Sequence, residues 1–84
     1  MSSPHVEAHL FAAARAAAGT PVLTVPSGTL AEVLNSLIAL APDLAEVLPR
    51  CSYLVDGLSV RAAEMHTPVA AGSRIDVLPP FAGG

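Results

Sequence analysis

The pattern of apolar and polar positions predicts two short strands and a small helix near the start of the chain. Apolar and polar residues alternate over residues 6–10, which is the two-residue period of a half-buried strand. An alanine-rich run at residues 12–18, closed by Gly19, predicts a short helix with a glycine C-cap. Residues 21–25 predict a second strand beside the first, because the connection between the two is short.

The next segment predicts the main helix of the protein. Thr29 and Glu32 have the spacing of a capping box, in which Thr29 is the N-cap. Apolar residues then recur every three or four positions, as expected for a helix with one buried face. The predicted buried positions are Leu30, Val33, Leu34, Leu37, Ile38 and Leu40. Pro42 ends the helix, and a further turn or two is expected at residues 44–48.

The second half of the chain predicts three more strands. Residues 50–55 form the third strand, and Asp56-Gly57 is a strong signal for a tight hairpin turn. A short fourth strand begins at residues 58–60, a loop covers residues 61–73, and residues 74–78 form the last strand.

This order of elements predicts an α+β domain over residues 1–78. One main helix crosses one face of a mixed sheet of four to five strands, and the first and last strands are parallel neighbours. The opposite face of the sheet is left uncovered and is expected to be a docking surface. Pro79 and Pro80 cannot donate to a sheet ladder, so residues 79–84 are expected to leave the sheet as a flexible tail.

Composition excludes several functional classes. The chain has 84 residues, a net charge of −3 and four arginines without a lysine, so it lacks the basic face that nucleic-acid binding requires. Cys51 is the single cysteine and is interpreted as a small apolar residue rather than a reactive thiol. The three histidines are too scattered to predict a metal site. Neither a membrane-spanning run nor a secretory leader is recognisable, and a cytoplasmic protein is expected.

Gly83 and Gly84 suggest a chemistry at the end of the chain. Without Cβ atoms, two successive glycines can enter a narrow slot and adopt backbone angles closed to other residues. The α-carboxylate beyond them is then the group open to attack once it is activated. A loose terminus or a cloning remnant would also explain the pair.

Three segments resemble the MoaD family, the small sulfur-carrier subunit of molybdopterin synthase, which has the ubiquitin-like β-grasp fold. Residues 10–19 (LFAAARAAAG) are similar to the family's Phe-Ala-x-x-Arg-Glu…Gly segment. Residues 67–75 (TPVAAGSRI) resemble its Thr-Pro-Leu-x-x-Gly-Asp-x-Val segment, and residues 78–84 (LPPFAGG) resemble its Pro-Pro-Val-(Ala/Ser)-Gly-Gly tail. Ala16 and Phe81 depart from the family pattern, which has Glu and Val there.

The resemblance implies a carrier rather than an enzyme. A MoeB-like adenylyltransferase would use ATP and Mg²⁺ to adenylate the carboxylate of Gly84, and a sulfurtransferase would supply sulfur to form a thiocarboxylate. The tail would then enter a MoaE-like large subunit, within a heterotetramer, and deliver sulfur to the pterin precursor. The catalytic groups would belong to these partners, and no cofactor would be bound stably by the chain itself.

The resemblance also implies which residues meet the partners. The tail that enters the partner's channel consists of Pro79, Pro80, Phe81, Ala82 and Gly83. Phe11, Leu58 and Leu78 are expected on the exposed face of the sheet, with ordinary core packing as the alternative. Arg15 either pairs with a partner carboxylate or is simply solvated.

Three alternative functions remain compatible with the sequence. A carrier of the same fold could feed thiamin thiazole, cysteine synthesis or tRNA thiolation. A protein modifier would be joined through Gly84 to target lysines, as ubiquitin is. A third reading is a plain interaction module with an inert tail.

Overall fold

A computed structural model of the chain describes residues 4–60 and 64–80. In chain order, the elements are β1 (His5–Leu10), α1 (Ala12–Ala18), β2 (Val22–Pro26), β3 (Gly28–Thr29), α2 (Leu30–Leu40), α3 (Leu44–Val47), a 3-10 turn (Leu48–Arg50), β4 (Ser52–Val55), β5 (Leu58–Val60), β6 (Pro68–Val69) and β7 (Arg74–Leu78). No helix in this described part of the chain is long and apolar enough to cross a bilayer.

The five longer strands form one mixed sheet in the order β2-β1-β7-β4-β5. β1 and β7 are parallel neighbours, and the other three pairs are antiparallel. The predicted α+β architecture and the parallel pairing of the first and last strands are therefore confirmed. The last strand of the sequence lies at the centre of the sheet, where both of its edges are hydrogen-bonded.

The alanine-rich segment forms α1 as predicted, and its end has a clear physical cause. Gly19 has φ 74° and donates its backbone N–H to the carbonyl of Arg15 at 2.9 Å. That left-handed conformation carries little steric cost for glycine. The chain then turns back at once, so that β2 lies beside β1.

The capping box at the start of α2 is also confirmed. Glu32 donates its backbone N–H to the Thr29 hydroxyl at 3.2 Å, and Thr29 donates its own backbone N–H to Glu32 Oε1 at 2.9 Å. These bonds, from the Thr29 backbone first and its hydroxyl second, lower the pKa of Glu32. The capping box thereby satisfies two of the N–H groups at the start of the helix, and the N–H groups of Leu30 and Ala31 donate to the carbonyls of Thr67 and Met65.

The buried face of α2 follows the predicted spacing with one error. Its buried residues are Leu30, Val33, Leu34 and Leu37, with Ile38 half-buried against them. Leu40 was predicted to be buried, but 60% of its surface is exposed. Leu40 is three residues beyond Leu37 in the last turn, where α2 has passed the edge of the core.

The helix-side face of the sheet supplies the other half of the core. The alternating strand residues Val6, Ala8, Leu10, Val25, Tyr53, Ile75 and Val77 are buried there. Tyr53 is the one polar side chain in this layer, and its hydroxyl donates a hydrogen bond to the carbonyl of Leu48. The bond ties β4 to the 3-10 turn, and no buried side-chain polar atom of the described residues lacks a partner.

The buried hydroxyl predicts an alkaline limit to stability. Burial, with a smaller contribution from Cys51, raises the pKa of Tyr53 from 10.0 to about 12. The neutral phenol therefore stabilises the fold below pH 10, and this contribution is lost as the pH rises from 10 through 12. Tyr53 is the only tyrosine and there is no tryptophan, so tyrosinate absorbance reports this group alone.

We expect Tyr53→Phe to lower the free energy of unfolding at pH 7 by about 1 kcal/mol, since the hydrogen bond is lost. The variant should also show a smaller loss of stability between pH 10 and 12. Urea unfolding of both proteins across this range measures the difference. Identical alkaline profiles would mean that the hydroxyl is not buried as described.

Two predicted boundaries were wrong. Strand β4 begins at Ser52, not residue 50, because residues 48–50 form the 3-10 turn. The segment predicted as one loop contains β6, which pairs with β3 in a separate two-stranded ladder. The 3-10 turn is local, with the Cys51 N–H donating to the Leu48 carbonyl at 3.0 Å, whereas β6 depends on pairing with β3, which is distant in sequence and which local patterns do not report.

The predicted hairpin turn has a second attachment to the sheet. Asp56 and Gly57 have φ values of 49° and 84°, as a two-residue hairpin turn requires. Asp56 Oδ1 accepts the backbone N–H of Arg74 at 2.8 Å, and the backbone N–H of Asp56 donates to the Arg74 carbonyl at 2.8 Å. The turn between β4 and β5 thus also fixes the start of β7.

Candidate functional site

The candidate site is the point where the central strand releases the end of the chain. β7 ends at Leu78, and Pro79 and Pro80 follow it, exposed and outside the sheet. Proline has a fixed φ and no backbone donor. The chain therefore leaves the sheet where the two prolines were predicted to release it. Phe81, Ala82, Gly83 and Gly84 lie outside the described residues.

A groove of about 290 Å³ lies beside these prolines. Its walls come from the start of α1, from α3 with the 3-10 turn, and from the end of β7. The lining residues are Phe11, Ala12, Ala13, Ala14, Glu46, Val47, Arg50, Cys51, Pro79 and Pro80. Most of them are apolar, and one anionic and one cationic side chain lie among them.

The α1 wall is positioned by the sheet itself. Phe11 donates its backbone N–H to the carbonyl of Val77 in β7 at 3.1 Å. Ala12 follows with φ 50°, a left-handed conformation that costs a residue with a Cβ about 1–2 kcal/mol. The strained step turns the chain from β1 into α1 directly beside the tail, so the Phe11 side chain becomes a groove wall and is 39% exposed.

Cys51 contributes a hydrogen-bonded thiol to the groove. Its Sγ donates a hydrogen bond to the Val47 carbonyl at 3.3 Å, and burial raises the pKa of the thiol. The nucleophilic form of cysteine is the thiolate, which this environment disfavours. The interpretation of Cys51 as a packing residue fits this environment.

Arg15 and Arg50 are exposed cations, and of the two only Arg50 lines the groove. Arg15 lies on α1, and Arg50 ends the 3-10 turn and lines the groove. Among residues 4–60 and 64–80, Arg74 forms an ion pair with Asp76, and His9 with Glu7 is one only when the imidazole is protonated, so neither of these two arginines takes part in one. Both guanidinium groups are free to meet a partner's carboxylate.

The structure does not place Leu58 with the tail. Leu58 is 74% exposed, but it pairs with Val55, which in turn pairs with Ile75. Residues opposite each other in a sheet share a face, so Leu58 projects on the helix side, beyond the helices, and not on the uncovered face. Ile75 precedes Leu78 by three residues, about 10 Å along the strand, so Leu58 lies away from the end of β7, where the tail begins.

Leu78 is half-buried on the uncovered face, opposite Ser52. That face is more polar than the sequence predicted. His9 Nε2 lies 3.1 Å from Glu7 Oε1, and Arg74 Nε donates to Asp76 Oδ1 at 2.7 Å. The register of β1 and β7 sets these two pairs side by side. They share the uncovered face because the apolar residues that alternate with them point toward the helices.

The structure thus brings together Phe11, Pro79 and Pro80 of the predicted site residues, and separates Leu58 from them. Sequence reasoning missed Glu46, Val47 and Arg50, which form the opposite wall. The packing of α1 against α3 creates this wall, and no motif in either segment signals that contact.

The arrangement provides a shaped, mostly apolar surface beside Pro79 and Pro80. In the described ranges, no group of three or more His, Cys, Asp or Glu side chains could hold a metal ion. The groove offers one carboxylate, one guanidinium and one thiol. What this region does is hold the root of the tail beside a shaped, mostly apolar surface.

Comparison with solved structures identifies the same fold in other proteins. Small archaeal modifier protein 1 of Methanosarcina acetivorans is 28% identical, with a TM-score of 0.83 and complete coverage of both chains. A chain of the BexX/CysO complex of Amycolatopsis orientalis is 18% identical, with a TM-score of 0.80, and the match covers 94% of this chain and 99% of that one. A chain of the complex of molybdopterin-converting factor subunits 1 and 2 of Helicobacter pylori is 22% identical, with a TM-score of 0.68, 95% and 99% covered.

No curated protein sequence matches the chain at a significant level. The family model described as the ThiS family matches residues 8–84. That match runs from β1 through the groove and the two prolines to Gly83 and Gly84. The expected ubiquitin-like β-grasp fold is confirmed, and the chain belongs to the ThiS family of β-grasp sulfur carriers.

Proposed function

We propose that the protein carries sulfur as a thiocarboxylate on Gly84 and delivers it in molybdopterin biosynthesis. The observation that carries the proposal is the family match, which extends through the Gly-Gly tail to residue 84. The structure supports it because β7, which is paired along both edges, leads directly into Pro79 and Pro80, where the tail begins.

The chemistry requires activation, because a carboxylate is a poor acyl donor. An adenylyltransferase of the MoeB type would transfer AMP from ATP to the Gly84 carboxylate and release pyrophosphate. The terminal sulfur of a sulfurtransferase persulfide then displaces AMP, forming an acyl disulfide. A thiol cleaves the S–S bond, is itself oxidised to a disulfide, and leaves the thiocarboxylate on Gly84.

The chain's own residues serve presentation in this scheme. Gly83 and Gly84 allow the tail to pass through a narrow channel. Pro79 and Pro80 restrict the free tail, so less conformational entropy is lost when a partner binds it. Phe81 and Ala82 complete the segment that enters the channel, and the Phe81 ring supplies an apolar anchor.

The groove beside the tail fits a contact with the partner that receives it. Phe11 offers a partly exposed aromatic wall, and Arg15 and Arg50 lack ion pairs in the described ranges. Leu78 is half-buried on the adjoining open face. An adenylyltransferase and a MoaE-like large subunit, as in a heterotetramer, would use this same end of the molecule in turn.

Two observations favour the molybdopterin branch. The segment at residues 10–19 and the Pro-Pro-Phe-Ala-Gly-Gly tail resemble the small subunit of molybdopterin synthase. One of the similar folds belongs to a complex of the two subunits of a molybdopterin-converting factor. The sulfur would then pass to the pterin precursor in the large subunit.

The proposal is tested by intact mass measurement. The full chain is incubated with a MoeB-like adenylyltransferase, ATP, Mg²⁺ and a persulfide donor, then with a MoaE-like subunit and the pterin precursor. We expect a mass gain equal to the difference between sulfur and oxygen, lost again as molybdopterin forms. Absence of any gain would refute the carrier function, whereas a gain without molybdopterin would refute only the pathway.

A second candidate is a protein modifier joined through Gly84 to lysines of other proteins. The specific observation in its favour is the 28% identity to an archaeal modifier protein over both complete chains. The chain has no lysine of its own, so it cannot form chains by self-conjugation to a lysine side chain. Lysines of other proteins that carry residues 75–84 after tryptic cleavage behind Arg74, with no sulfur gain, would favour this function.

A further inference from the structure

We propose that two copies of the chain pair antiparallel along β2, about a two-fold axis at Thr24, and so join their sheets into one. β2 is an edge strand of the five-stranded sheet. An unpaired edge presents backbone donors and acceptors that a second strand can satisfy. The pattern of these groups on β2 is what selects a second copy of the same strand.

The bonds between β1 and β2 show which backbone groups face outward. Leu10 donates to the Pro21 carbonyl at 2.8 Å, and Ser27 donates to the Pro4 carbonyl at 2.9 Å. Both pairs are in the register of β1 and β2, and hydrogen-bonded pairs alternate along an antiparallel ladder. The odd-numbered residues of β2 therefore face β1, and Val22, Thr24 and Pro26 face the open edge.

These three residues present an uneven set of groups. Val22 and Thr24 each offer an N–H, whereas Pro26 has none. The Val22 carbonyl already accepts the Thr20 hydroxyl at 3.3 Å. The open edge thus presents two donors, at Val22 and Thr24, and two carbonyls without a described hydrogen bond, at Thr24 and Pro26.

A two-fold axis at Thr24 matches these groups. Thr24 then faces Thr24 of the second copy, and the two exchange both N–H···O bonds. Val22 faces Pro26 of the second copy and donates its N–H to the carbonyl of that proline. Pro26 has no N–H to donate in return, and the Val22 carbonyl opposite it already accepts the Thr20 hydroxyl. Four hydrogen bonds form, and every outward N–H of both strands finds a carbonyl.

The side chains do not oppose this pairing. The segment from Thr20 to Ser27 contains no charged residue, whereas natural edge strands are commonly protected by lysine or other charges. Two threonines directly opposite each other are a favourable cross-strand pair. Leu23, half-buried on the helix side, comes to lie opposite Val25 of the second copy.

The opposite edge of the sheet lacks this complementarity. β5 has three residues, Leu58–Val60, and Leu58 and Val60 face Val55 and Tyr53 of β4 across the tight hairpin. Ser59 alone faces outward by the same alternation. That edge therefore serves as an internal control for non-specific association.

The proposal is tested first by sedimentation equilibrium of the full chain over a range of concentrations. Pairing along one five-residue strand buries less surface than a stable interface, which buries at least about 1,200 Å². We therefore expect a dimer that dissociates on dilution. Thr24→Pro removes an outward N–H and leaves the β1 ladder intact, and should reduce dimer formation at least tenfold. Ser59→Pro, the matched change on the other edge, should leave dimerisation unchanged. A monomer at every concentration would overturn the proposal.

Cross-linking tests the register and does not depend on a proline being tolerated. In a Cys51→Ser background, Thr24→Cys places two thiols across the axis, on Cα atoms about 5.5 Å apart, within the range of a disulfide. We expect mild oxidation to link Thr24→Cys at least tenfold faster than Ser59→Cys. Equal rates, or a dimer that persists in Thr24→Pro, would mean that association occurs elsewhere on the surface. Each result contradicts pairing along β2.

Discussion

Removal of Gly84 will abolish sulfur loading while leaving the folded body unchanged. The truncated chain ends one residue earlier, about 3.3 Å short of the original reach of its carboxylate. A displacement of 1 Å at a reacting group can already cost about 100-fold in rate. We expect no detectable adenylate or thiocarboxylate by intact mass under conditions that load the full chain completely.

A second variant separates the effect of tail length from the effect of tail width in a narrow channel. Gly83→Ala keeps the length of the tail and adds one Cβ where a narrow channel would exclude it, so loading should fall strongly. Neither change touches the described core, and the urea midpoint should remain that of the unmodified chain. Loading of the truncated chain at the full rate would show that Gly84 is not the reacting residue, even if the protein carries sulfur.

The main helix and the sheet could be predicted because their signals are local. The capping box at Thr29 and Glu32 and the spacing of apolar residues in α2 each follow from the hydrogen bonding and periodicity of a helix. Alternation in β1 similarly reported which of its residues face the helices. Leu40 was assigned wrongly because periodicity shows the direction of a side chain but not where the core ends.

The groove could not be predicted, since it is created by packing between segments distant in sequence. Phe11 was assigned to the sheet face, but Ala12 turns the chain at a positive φ and makes Phe11 a groove wall. Glu46 and Arg50 come to the same place because α3 packs on α1. The position of Leu58 depended on the register of three strands, which the sequence of one hairpin does not contain.

The candidate chemistry, unlike the groove, could be predicted from the sequence, because it depends on the tail motif and not on the folded body. Gly83 and Gly84 are recognisable in the sequence regardless of how the rest of the chain folds. The fold adds what the motif lacks: β7 lies at the centre of the sheet, and Pro79 and Pro80 adjoin a groove of defined lining. A carrier needs both features, since its partners must recognise the body while acting on the end of the chain.

The body's stability depends on α2, and Leu37→Ala should destabilise it most clearly. Leu37 is fully buried between α2 and the sheet. Replacing such a leucine with alanine removes apolar contacts and leaves a cavity, at a cost of about 2–5 kcal/mol. Domains of this size have only about 4–13 kcal/mol in total, so a large fall in the urea midpoint is expected by circular dichroism.

Leu40→Ala provides the matched control, because it is the same substitution in the same helix at a side chain that is 60% exposed. Its free energy of unfolding should lie within about 0.5 kcal/mol of the original protein, as for most surface changes. A difference of at least about 1.5 kcal/mol between the two variants is therefore expected. Equal losses would mean that α2 does not bury Leu37 in preference to Leu40. A different face of the helix would then pack on the sheet.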